Sequence, residues 1–289
     1  MVSICIPTYN NVQSLERLLK SIENQTYRDF EVIICDDSID DRIKETVKKY
    51  CQLPIQYHKN KVALGPTKNT NETIKLAKGS YIKVMHHDDC FGSANSLETM
   101  VKALDENENA DLFFCGTRET VYERDGKVNK EKTYERCISA LEESQLKEDY
   151  RNLFLVNMIG APSATLIRNK GILMDENLKW LVDVDYYFRI LEHNSNTISS
   201  SLPYIHIGIS ETQVTRSCLA DRKLILDETK YVFKKYQLRE NKIYRKYLIR
   251  MAIDMNFSYE DIKDCDIKRS EYMNHKIRIT LRRIVKREK

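Results

Sequence analysis

The 289-residue sequence lacks any apolar run near the roughly 18 residues that a membrane-spanning helix requires. Its first ten residues, MVSICIPTYN, lack a basic segment followed by an apolar one, so no secretory signal is expected. The eight cysteines form no CxxC pair, and several lie inside apolar segments such as VSICIP and VIICDD. This pattern is typical of reduced, buried thiols in a cytoplasmic protein and argues against a disulfide framework or a zinc site.

Positive charge is concentrated at the C-terminal end of the chain. The whole sequence has a formal net charge of +4. Residues 276–289 contain seven lysines and arginines against one glutamate, a local charge of +6, which leaves −2 for residues 1–275. The main part of the protein is therefore almost neutral, and a nucleic-acid partner is not expected.

The same C-terminal segment predicts an amphipathic helix. Ile277, Leu281, Ile284 and Val285 follow the i, i+4, i+7, i+8 spacing of one helix face, and the opposite face is strongly basic. One hypothesis is that residues 274–289 lie on an anionic membrane surface, as such helices do. The alternative is a helix that packs on its own domain and exposes its charged side to water.

Strand and helix patterns alternate through the first hundred residues. Apolar, β-branched runs predict strands, and apolar residues at helical spacing predict the helices between them. A capping box of Ser38 and Asp41 predicts the start of the second helix, and Pro66 suits the first turn of the third. This alternation predicts a parallel sheet covered by helices on both faces. The predicted strands are 2–6, 30–35, 54–58 and 81–85, and the predicted helices are 15–22, 38–50 and 66–77.

The alternation of strands and helices becomes irregular after the first hundred residues. A helix near 96–107 and a strand at 111–117 are followed by a charged segment, 118–137, that predicts an exposed hairpin around Asp125-Gly126. A strand at 164–167, a helix at 183–193 and a strand at 204–209 come next, and helices are predicted from about residue 216. No internal repeat is visible.

Three of the predicted strands end in polar clusters, at residues 7–10, 36–38 and 86–89. In parallel sheets ligands bind at the carboxyl ends of the strands, so this edge is the predicted ligand site. Asp36 and Asp37 suit hydrogen bonds to a ribose or a base, although turn formation and helix capping are an alternative role. Lys68, near the start of a predicted helix, would be suited to a bound phosphate, and a plain surface lysine is the alternative.

The His86-His87-Asp88-Asp89 segment joins carboxylates that repel each other unless a cation is present. A hard divalent ion with diphosphate oxygens would remove that repulsion, and a solvated turn is the alternative. A zinc site that uses both histidines is disfavoured, because neighbours on an extended chain point to opposite sides.

Asp183 shares one helix face with an apolar stripe that begins one turn later. A carboxylate on an inward face is costly unless it lines a cleft, where burial would raise its pKa towards that of a general base. The alternative is an acid that caps the helix N-terminus. Asp185, two residues further on, is expected to be solvated. The stripe consists of Tyr186, Tyr187, Ile190 and Leu191.

These motifs, taken together, resemble those of the family-2 inverting glycosyltransferases of GT-A fold. The resemblance is dense over residues 1–100 and continues more weakly to about 215. It implies an α/β GT-A (Rossmann-like) nucleotide-diphospho-sugar transferase fold with a mostly parallel central sheet and a helical C-terminal extension. The residues that carry it are Pro7-Thr8-Tyr9-Asn10, QTYRDFEV at 25–32, Asp36-Asp37-Ser38, Lys68-Asn69, AKGSYI at 77–82, His86-His87-Asp88-Asp89, LVDVD at 181–185 and ETQVT at 211–215.

The resemblance also implies domains and roles. Residues 1–215 would be the catalytic domain, with a nucleotide-sugar half at 1–100 and an acceptor half at 101–215, and residues 216–289 the extension. Asp183 would be the base, although Val182 stands where the family usually has Glu. Mn²⁺ or Mg²⁺ would bind Asp88, Asp89 and His86, and His86 replaces the first Asp of the family's DxD motif. The donor would contact Pro7, Thr8, Tyr9, Asn10, Asp36, Asp37, Lys68, His87, Gln213 and Thr215.

The implied activity is inverting transfer of a sugar, from a UDP-sugar by preference, to a saccharide or lipid-linked saccharide. Surface-polysaccharide or O-antigen assembly at the inner face of the cell membrane would suit a cytoplasmic enzyme with a basic tail, and the helical C-terminus would suit a homodimer. A catalytically inactive nucleotide-sugar-binding protein is the alternative. A metal-dependent hydrolase lacks further ligands, and a dinucleotide oxidoreductase is disfavoured because no GxGxxG turn follows the first strand.

Overall fold

The structure, a computed structural model, describes residues 1–122, 127–209 and 214–287. The chain divides into two compact units. The first consists of Met1–Leu153 and Asn157–Gln213, and the second of Phe154–Val156 and Val214–Lys289. No helix within the described ranges is both long and apolar enough to span a bilayer.

The first unit is built on one nine-stranded sheet with the order β3-β2-β1-β4-β8-β6-β9-β5, in which β7 also pairs with β6. Strands β1 to β4, β6 and β9 run in one direction, and β5, β7 and β8 run in the other. The predicted α/β fold with a mostly parallel sheet is confirmed. The strands are β1 (Val2–Thr8), β2 (Phe30–Asp36), β3 (Ile55–Lys59), β4 (Tyr81–Val84), β5 (Cys90–Phe91), β6 (Leu112–Val121), β7 (Tyr134–Arg136), β8 (Thr165–Arg168) and β9 (Thr197–Ile209).

The helices of the first unit connect these strands, and the second unit is helical, as predicted from about residue 216. All eight cysteines are free thiols; five are buried, whereas Cys51 and Cys137 are exposed. The helices are α1 (Val12–Glu23), α2 (Arg42–Lys48), α3 (Pro66–Leu76), α4 (Ser96–Asp105), α5 (Ala140–Glu148), α6 (Val182–His193), α7 (Val214–Ala220), α8 (Arg222–Lys235), α9 (Lys242–Asp254) and α10 (Arg269–Arg287).

The core lies on both sides of the central strands. Every residue of β1 and β2 is buried, which explains why these strands are mostly apolar and do not alternate regularly between apolar and polar residues. Helix α1 buries its predicted apolar face completely, and each such leucine or isoleucine contributes about 1.5–3 kcal/mol. The face consists of Leu15, Leu18, Leu19 and Ile22.

The predicted capping box of α2 is wrong. The helix begins at Arg42, after Asp41, whose side chain makes no capping hydrogen bond. The Ser38 hydroxyl instead accepts a hydrogen bond from the backbone N–H of Asn10, at 2.7 Å. Ser38 therefore joins the ends of β1 and β2. Its partner, Asn10, is 28 residues away and replaces the predicted local partner, Asp41.

The segment after α4 differs from the prediction mainly in length. Strands β6 and β9 are longer than expected, and α5 was not predicted; before α4, the short strand β5 was not predicted either. The antiparallel pairing of β6 with β7 and the bridge between Tyr122 and Val128 agree with the expected hairpin. Its turn residues, Asp125 and Gly126, lie outside the described residues.

Candidate active site

The three polar clusters predicted at strand ends lie at one edge of the sheet. Strand β1 runs parallel to both β2 and β4, so residues 7–10, 36–38 and 86–89 follow neighbouring strands in the same direction. Thr8 pairs in register with Asp36, and the backbone N–H of Asp37 donates to the Thr8 carbonyl at 3.0 Å. This edge is the candidate active site.

Asp36 is fully buried and is enclosed by donors from the protein itself. It accepts hydrogen bonds from the Ser38 N–H at 2.8 Å, the Tyr57 hydroxyl at 2.7 Å and the Lys59 ammonium at 3.2 Å. Burial alone would raise the pKa of this carboxyl, but these hydrogen bonds outweigh burial and hold it below its ordinary value. Asp36 thus ties together the ends of β2 and β3.

Asp37 organises the chain that enters α3. Its carboxylate accepts from the backbone N–H groups of Leu64 and Gly65, at 3.1 and 2.9 Å, and from the Asn60 amide at 2.7 Å. Gly65 is the residue before α3, so Asp37 places the first turn of that helix. Lys68 lies in this turn, and its side chain is exposed.

Asn69 locks the same turn onto the sheet, a role that the sequence did not reveal. Its side-chain amide donates to the carbonyls of Thr8 and Cys35, at 3.3 and 3.0 Å. Its side-chain oxygen accepts from Asn60 at 2.8 Å. The strand ends and the helix start are therefore one hydrogen-bonded unit.

The segment after β1 presents one large side chain to solvent. Pro7 and Thr8 are buried, and the Thr8 hydroxyl donates to the Cys35 carbonyl at 3.3 Å. Tyr9 is 52% exposed, and Asn10 has a left-handed backbone with φ 53°. The turn thus directs the Tyr9 ring away from the core at the carboxyl edge.

The segment after β4 is held by Ser163. The backbone N–H of His86 donates to the Ser163 hydroxyl at 3.0 Å, and Ser163 also hydrogen-bonds the Asp89 carboxyl. Asp89 is buried and accepts from the Gly208 N–H at 3.0 Å. Burial, with the neighbouring charge of Asp88 as second cause, raises the pKa of Asp89 well above its ordinary value.

Gly208 has to be glycine for this attachment to form. A Cβ atom there would lie 2.2 Å from the Asp88 carbonyl oxygen, a distance that a backbone atom cannot accommodate. Strand β9 therefore approaches the His86–Asp89 segment along its backbone.

Lys83 supports the same segment from within the core. It is fully buried, and its ammonium donates to the carbonyl of Ser163 and, at 3.1 Å, to that of Thr165. Burial lowers the pKa of Lys83 to about 8. The sequence signal was a single lysine inside the apolar strand YIKVM, which we did not single out.

Asp183 lies in the first turn of α6, as predicted, and is half-buried. Burial raises the pKa of its carboxyl to about 6, and the nearby His86 partly opposes the rise. The effect of desolvation on the pKa of Asp183 therefore outweighs that of the helix N-terminus, which favours the charged form of the carboxyl. One turn later, the Tyr187 hydroxyl donates to the Gly160 carbonyl at 2.9 Å and fixes this part of the helix.

The expectation that Asp185 is solvated is wrong. Asp185 is fully buried and pairs with the Arg189 guanidinium at 2.8 Å, one turn further along α6. Arg189 also pairs with Asp175 at 3.0 Å. The two aspartates of the motif thus have different environments: an ion pair anchors Asp185, whereas burial dominates at Asp183.

The residues expected to hold a metal do not form a cage. The described part of the chain contains no group of three His, Cys, Asp or Glu side chains placed to bind a metal ion. Asp89 is held by Ser163 and Gly208, and its carboxylate lies 3.9 Å from the His86 ring nitrogen. His86 and Asp88 are half-buried. Mg²⁺ is commonly held by one or two carboxylates and substrate phosphates, so this donor set fits a metal that arrives with a diphosphate.

Three predicted donor contacts remain to be placed: His87, Gln213 and Thr215. Burial lowers the pKa of His87, which favours a neutral ring. Gln213 lies outside the described residues, and Thr215 is an exposed residue of α7.

The fold is that of the GT-A class of glycosyltransferases. The structure superposes on TarS of S. aureus in complex with UDP-GlcNAc with a TM-score of 0.64 and 18% identity, over 95% of this chain and 79% of that one. Residues 3–172 match the model of glycosyl transferase family 2. The chain belongs to this family, as its motifs suggested.

Two curated relatives are similar over part of their length. Abequosyltransferase RfbV of Salmonella typhimurium is 36% identical over 125 residues, 42% of this chain and 37% of that protein. The UDP-Glc:alpha-D-GlcNAc-diphosphoundecaprenol beta-1,3-glucosyltransferase WfgD of Escherichia coli is 30% identical over 113 residues, 39% of this chain and 44% of that protein. The chain thus spans less than half of each of these two relatives.

Replacing Lys83 with Met should loosen the His86–Asp89 segment, because the buried carbonyls of Ser163 and Thr165 lose their donor. The loss of such a bond costs about 1–3 kcal/mol locally, so amide hydrogen exchange at His86 and Gly208 should be at least about tenfold faster. Lys75→Met, at an exposed lysine of α3, is the matched control. Unchanged exchange in Lys83→Met would contradict this role.

Asp183→Asn should stabilise the protein at neutral pH. The folded-state pKa of Asp183 is raised from 3.8 to about 6, so ionisation costs stability as pH rises through this window. The variant should exceed the wild type by about 1–3 kcal/mol at pH 7, and the gain should shrink as pH falls towards 4. Urea unfolding at several pH values measures both trends.

Asp185→Asn is the control for this experiment, since it removes one partner of the buried pair with Arg189. It should destabilise the protein at pH 7. A loss of stability in Asp183→Asn at pH 7 similar to that in Asp185→Asn would show that Asp183 is a structural acid.

Proposed function

We propose that this protein transfers a sugar, with inversion, from a UDP-sugar to a saccharide carried on a lipid diphosphate. The observation that carries the proposal is Asp183, a half-buried carboxyl whose pKa is raised to about 6 and which lies near the His86–Asp89 segment. A carboxyl with this pKa is ionised at neutral pH and is basic enough to accept a proton.

The donor would bind at the carboxyl ends of β1 and β2. The exposed Tyr9 ring would stack on the nucleobase, and Pro7, Thr8 and Asn10 would shape the turn that presents it. Asp37 would contact the nucleoside. Through its hydrogen bond to Gly65 at the start of α3, it would also direct Lys68 to the diphosphate. We assign Asp36 a positioning role, because protein donors surround its carboxylate.

In the chemical step, the acceptor hydroxyl attacks the anomeric carbon of the donor while the Asp183 carboxylate takes its proton. The bond between the anomeric carbon and the diphosphate oxygen breaks on the opposite face, and the nucleoside diphosphate leaves with that electron pair. Lys68 would stabilise the charge that develops on the leaving group. A divalent ion held by Asp88, with His86, would add positive charge at the same diphosphate.

The acceptor class is supported by the curated relatives. WfgD is named for a GlcNAc-diphosphoundecaprenol acceptor and a UDP-Glc donor, and RfbV is named as an abequosyltransferase. UDP as the nucleotide is also supported by the TarS complex with UDP-GlcNAc. Such an acceptor supports the proposal of a role in surface-polysaccharide or O-antigen assembly.

A second candidate is a nucleotide-sugar-binding protein without catalysis. It is favoured by His86 at the first position of the metal motif and by Val182 in place of the usual acid before Asp183. Turnover of a bound donor in the presence of an acceptor separates the two candidates. Donor binding without any transfer would establish the second.

Asp183→Asn should abolish transfer and leave donor binding intact, because the amide cannot take the acceptor proton. A general base contributes about 10²–10⁴-fold, so kcat should fall by at least about 10²-fold. In the wild type, kcat should rise with pH and level off above about 6, the pKa of Asp183. Acceptor assays combined with donor titration calorimetry measure these effects.

Glu192→Gln, at an exposed acid of the same helix, is the matched control and should keep wild-type transfer. Equal loss of donor binding and transfer in Asp183→Asn would contradict the assignment of Asp183 as the base.

The nucleotide and the metal can be tested together by thermal shift. UDP-sugars should stabilise the protein more than GDP-, dTDP- or CMP-sugars. At a UDP-sugar concentration of 100 Kd, the gain over the unliganded protein should be about 2.7 kcal/mol. Mn²⁺ or Mg²⁺ should increase the shift, and Asp88→Asn should remove this increase, because Asp88 would be the main carboxylate on the metal. A metal effect that persists in Asp88→Asn would contradict the metal assignment.

A further inference from the structure

Helix α10 packs on the second unit through only one of its faces. Tyr272 is buried, and its hydroxyl donates to the Phe257 carbonyl at 2.8 Å. On the same side, Glu271 pairs with Arg245 of α9 at 3.3 Å. These contacts fix which side of the helix faces the unit and which side faces outward.

An apolar stripe lies on another face and is exposed to water. Met273, Ile277 and Leu281 are four residues apart, and they are 44%, 54% and 57% exposed. Side chains at this spacing lie along one face of a helix. The structure thus departs from the alternative in which Ile277 and Leu281 pack on their own domain.

Cations lie on both sides of this stripe. At 100° per residue, Lys276 and Arg278 project to opposite sides of Ile277, and both are exposed. Residues 276–289 carry a local charge of +6 in the sequence. An exposed apolar stripe between cations is the arrangement of helices that lie in a membrane interface.

Charge decides which occupant covers the stripe. A second copy of α10 would bring two strongly basic helices together, and their repulsion would oppose the contact. A surface of anionic lipids instead attracts each nearby lysine or arginine by about 1 kcal/mol, and its acyl chains accept the apolar side chains.

We propose that α10 binds the surface of anionic lipid bilayers, with Met273, Ile277 and Leu281 inserted among the acyl chains and Lys276 and Arg278 at the phosphate headgroups. This contact does not depend on the identity of the donor or on catalysis. It would hold the enzyme at the surface where a lipid-linked acceptor is found.

The test is sedimentation of the full chain with vesicles of phosphatidylcholine alone or of phosphatidylcholine mixed with phosphatidylglycerol. The wild type should bind only the mixed vesicles, and binding should weaken in 1 M NaCl, where the Debye length falls to about 3 Å. The variant I277D/L281D should bind at least about tenfold more weakly, since it replaces two apolar side chains that would insert among the acyl chains with charges that anionic lipids repel.

The matched control is L141D/L202D, which makes the same change at two exposed leucines of α5 and β9, 68% and 56% exposed. It should sediment like the wild type. Equal binding to both kinds of vesicle, no binding by the wild type, or full binding by I277D/L281D would overturn the proposal. A wild type that forms dimers and ignores vesicles, with a monomeric I277D/L281D, would assign the stripe to self-association instead.

Light scattering measures whether the wild type and I277D/L281D are monomers or dimers, and UDP-sugar thermal shift provides an independent check of folding. I277D/L281D should keep the wild-type melting temperature and the wild-type donor shift. Vesicle binding and donor binding are therefore separate readouts, and failure of one is distinguishable from failure of the other.

Discussion

Two neighbouring carboxylates at the end of β2 can be buried only if the protein itself supplies their hydrogen-bond donors. A buried carboxylate without donors costs several kcal/mol, so the chain around Asp36 and Asp37 has little freedom. Asp36 takes donors from the Ser38 N–H and from two side chains of β3. Asp37 takes the Asn60 amide and the backbone N–H groups of residues 64 and 65. The segment after β3 must therefore fold over the end of β2, and α3 must begin where it does. The position of Lys68 is a consequence of these bonds.

The same constraint governs the His86–Asp89 segment, with different partners. Ser163 accepts from His86, bonds Asp89 and offers its own carbonyl to the buried Lys83. No buried side-chain nitrogen or oxygen in the described residues lacks a hydrogen-bond partner. Satisfied buried networks are rigid, and a site for transfer chemistry needs side chains held to within about 0.5 Å. The polar groups that are costly to bury thus supply the precision that the site needs.

The sequence predicted those features that depend on local patterns. The mostly apolar runs of β1 and β2 and the helical spacing in α1 identify these elements from local sequence alone. Prediction failed where the partner is distant in the sequence. Ser38 matches a local capping box, yet its hydroxyl accepts from Asn10. Lys83 is a single charge within an apolar strand, yet its acceptors lie 80 and 82 residues away. Strand β5, with two residues, is too short to show any period.

Asp183 and Asp185 show why the candidate base was recognisable while its surroundings were not. Helical spacing placed Asp183 on one face with an apolar stripe, which indicated a buried position, and burial is what raises its pKa. The same spacing could not show that Arg189 would turn inward to Asp185, because that choice depends on Asp175, a residue outside the helix. The two effects are complementary: the ion pairs of Arg189 anchor α6, and an anchored helix can hold a second carboxyl where its charge is unfavourable. The burial that costs stability at Asp183 also raises its pKa and so makes its carboxylate a stronger base. Asp183 and Asp185 can therefore have different roles only while each retains its own environment.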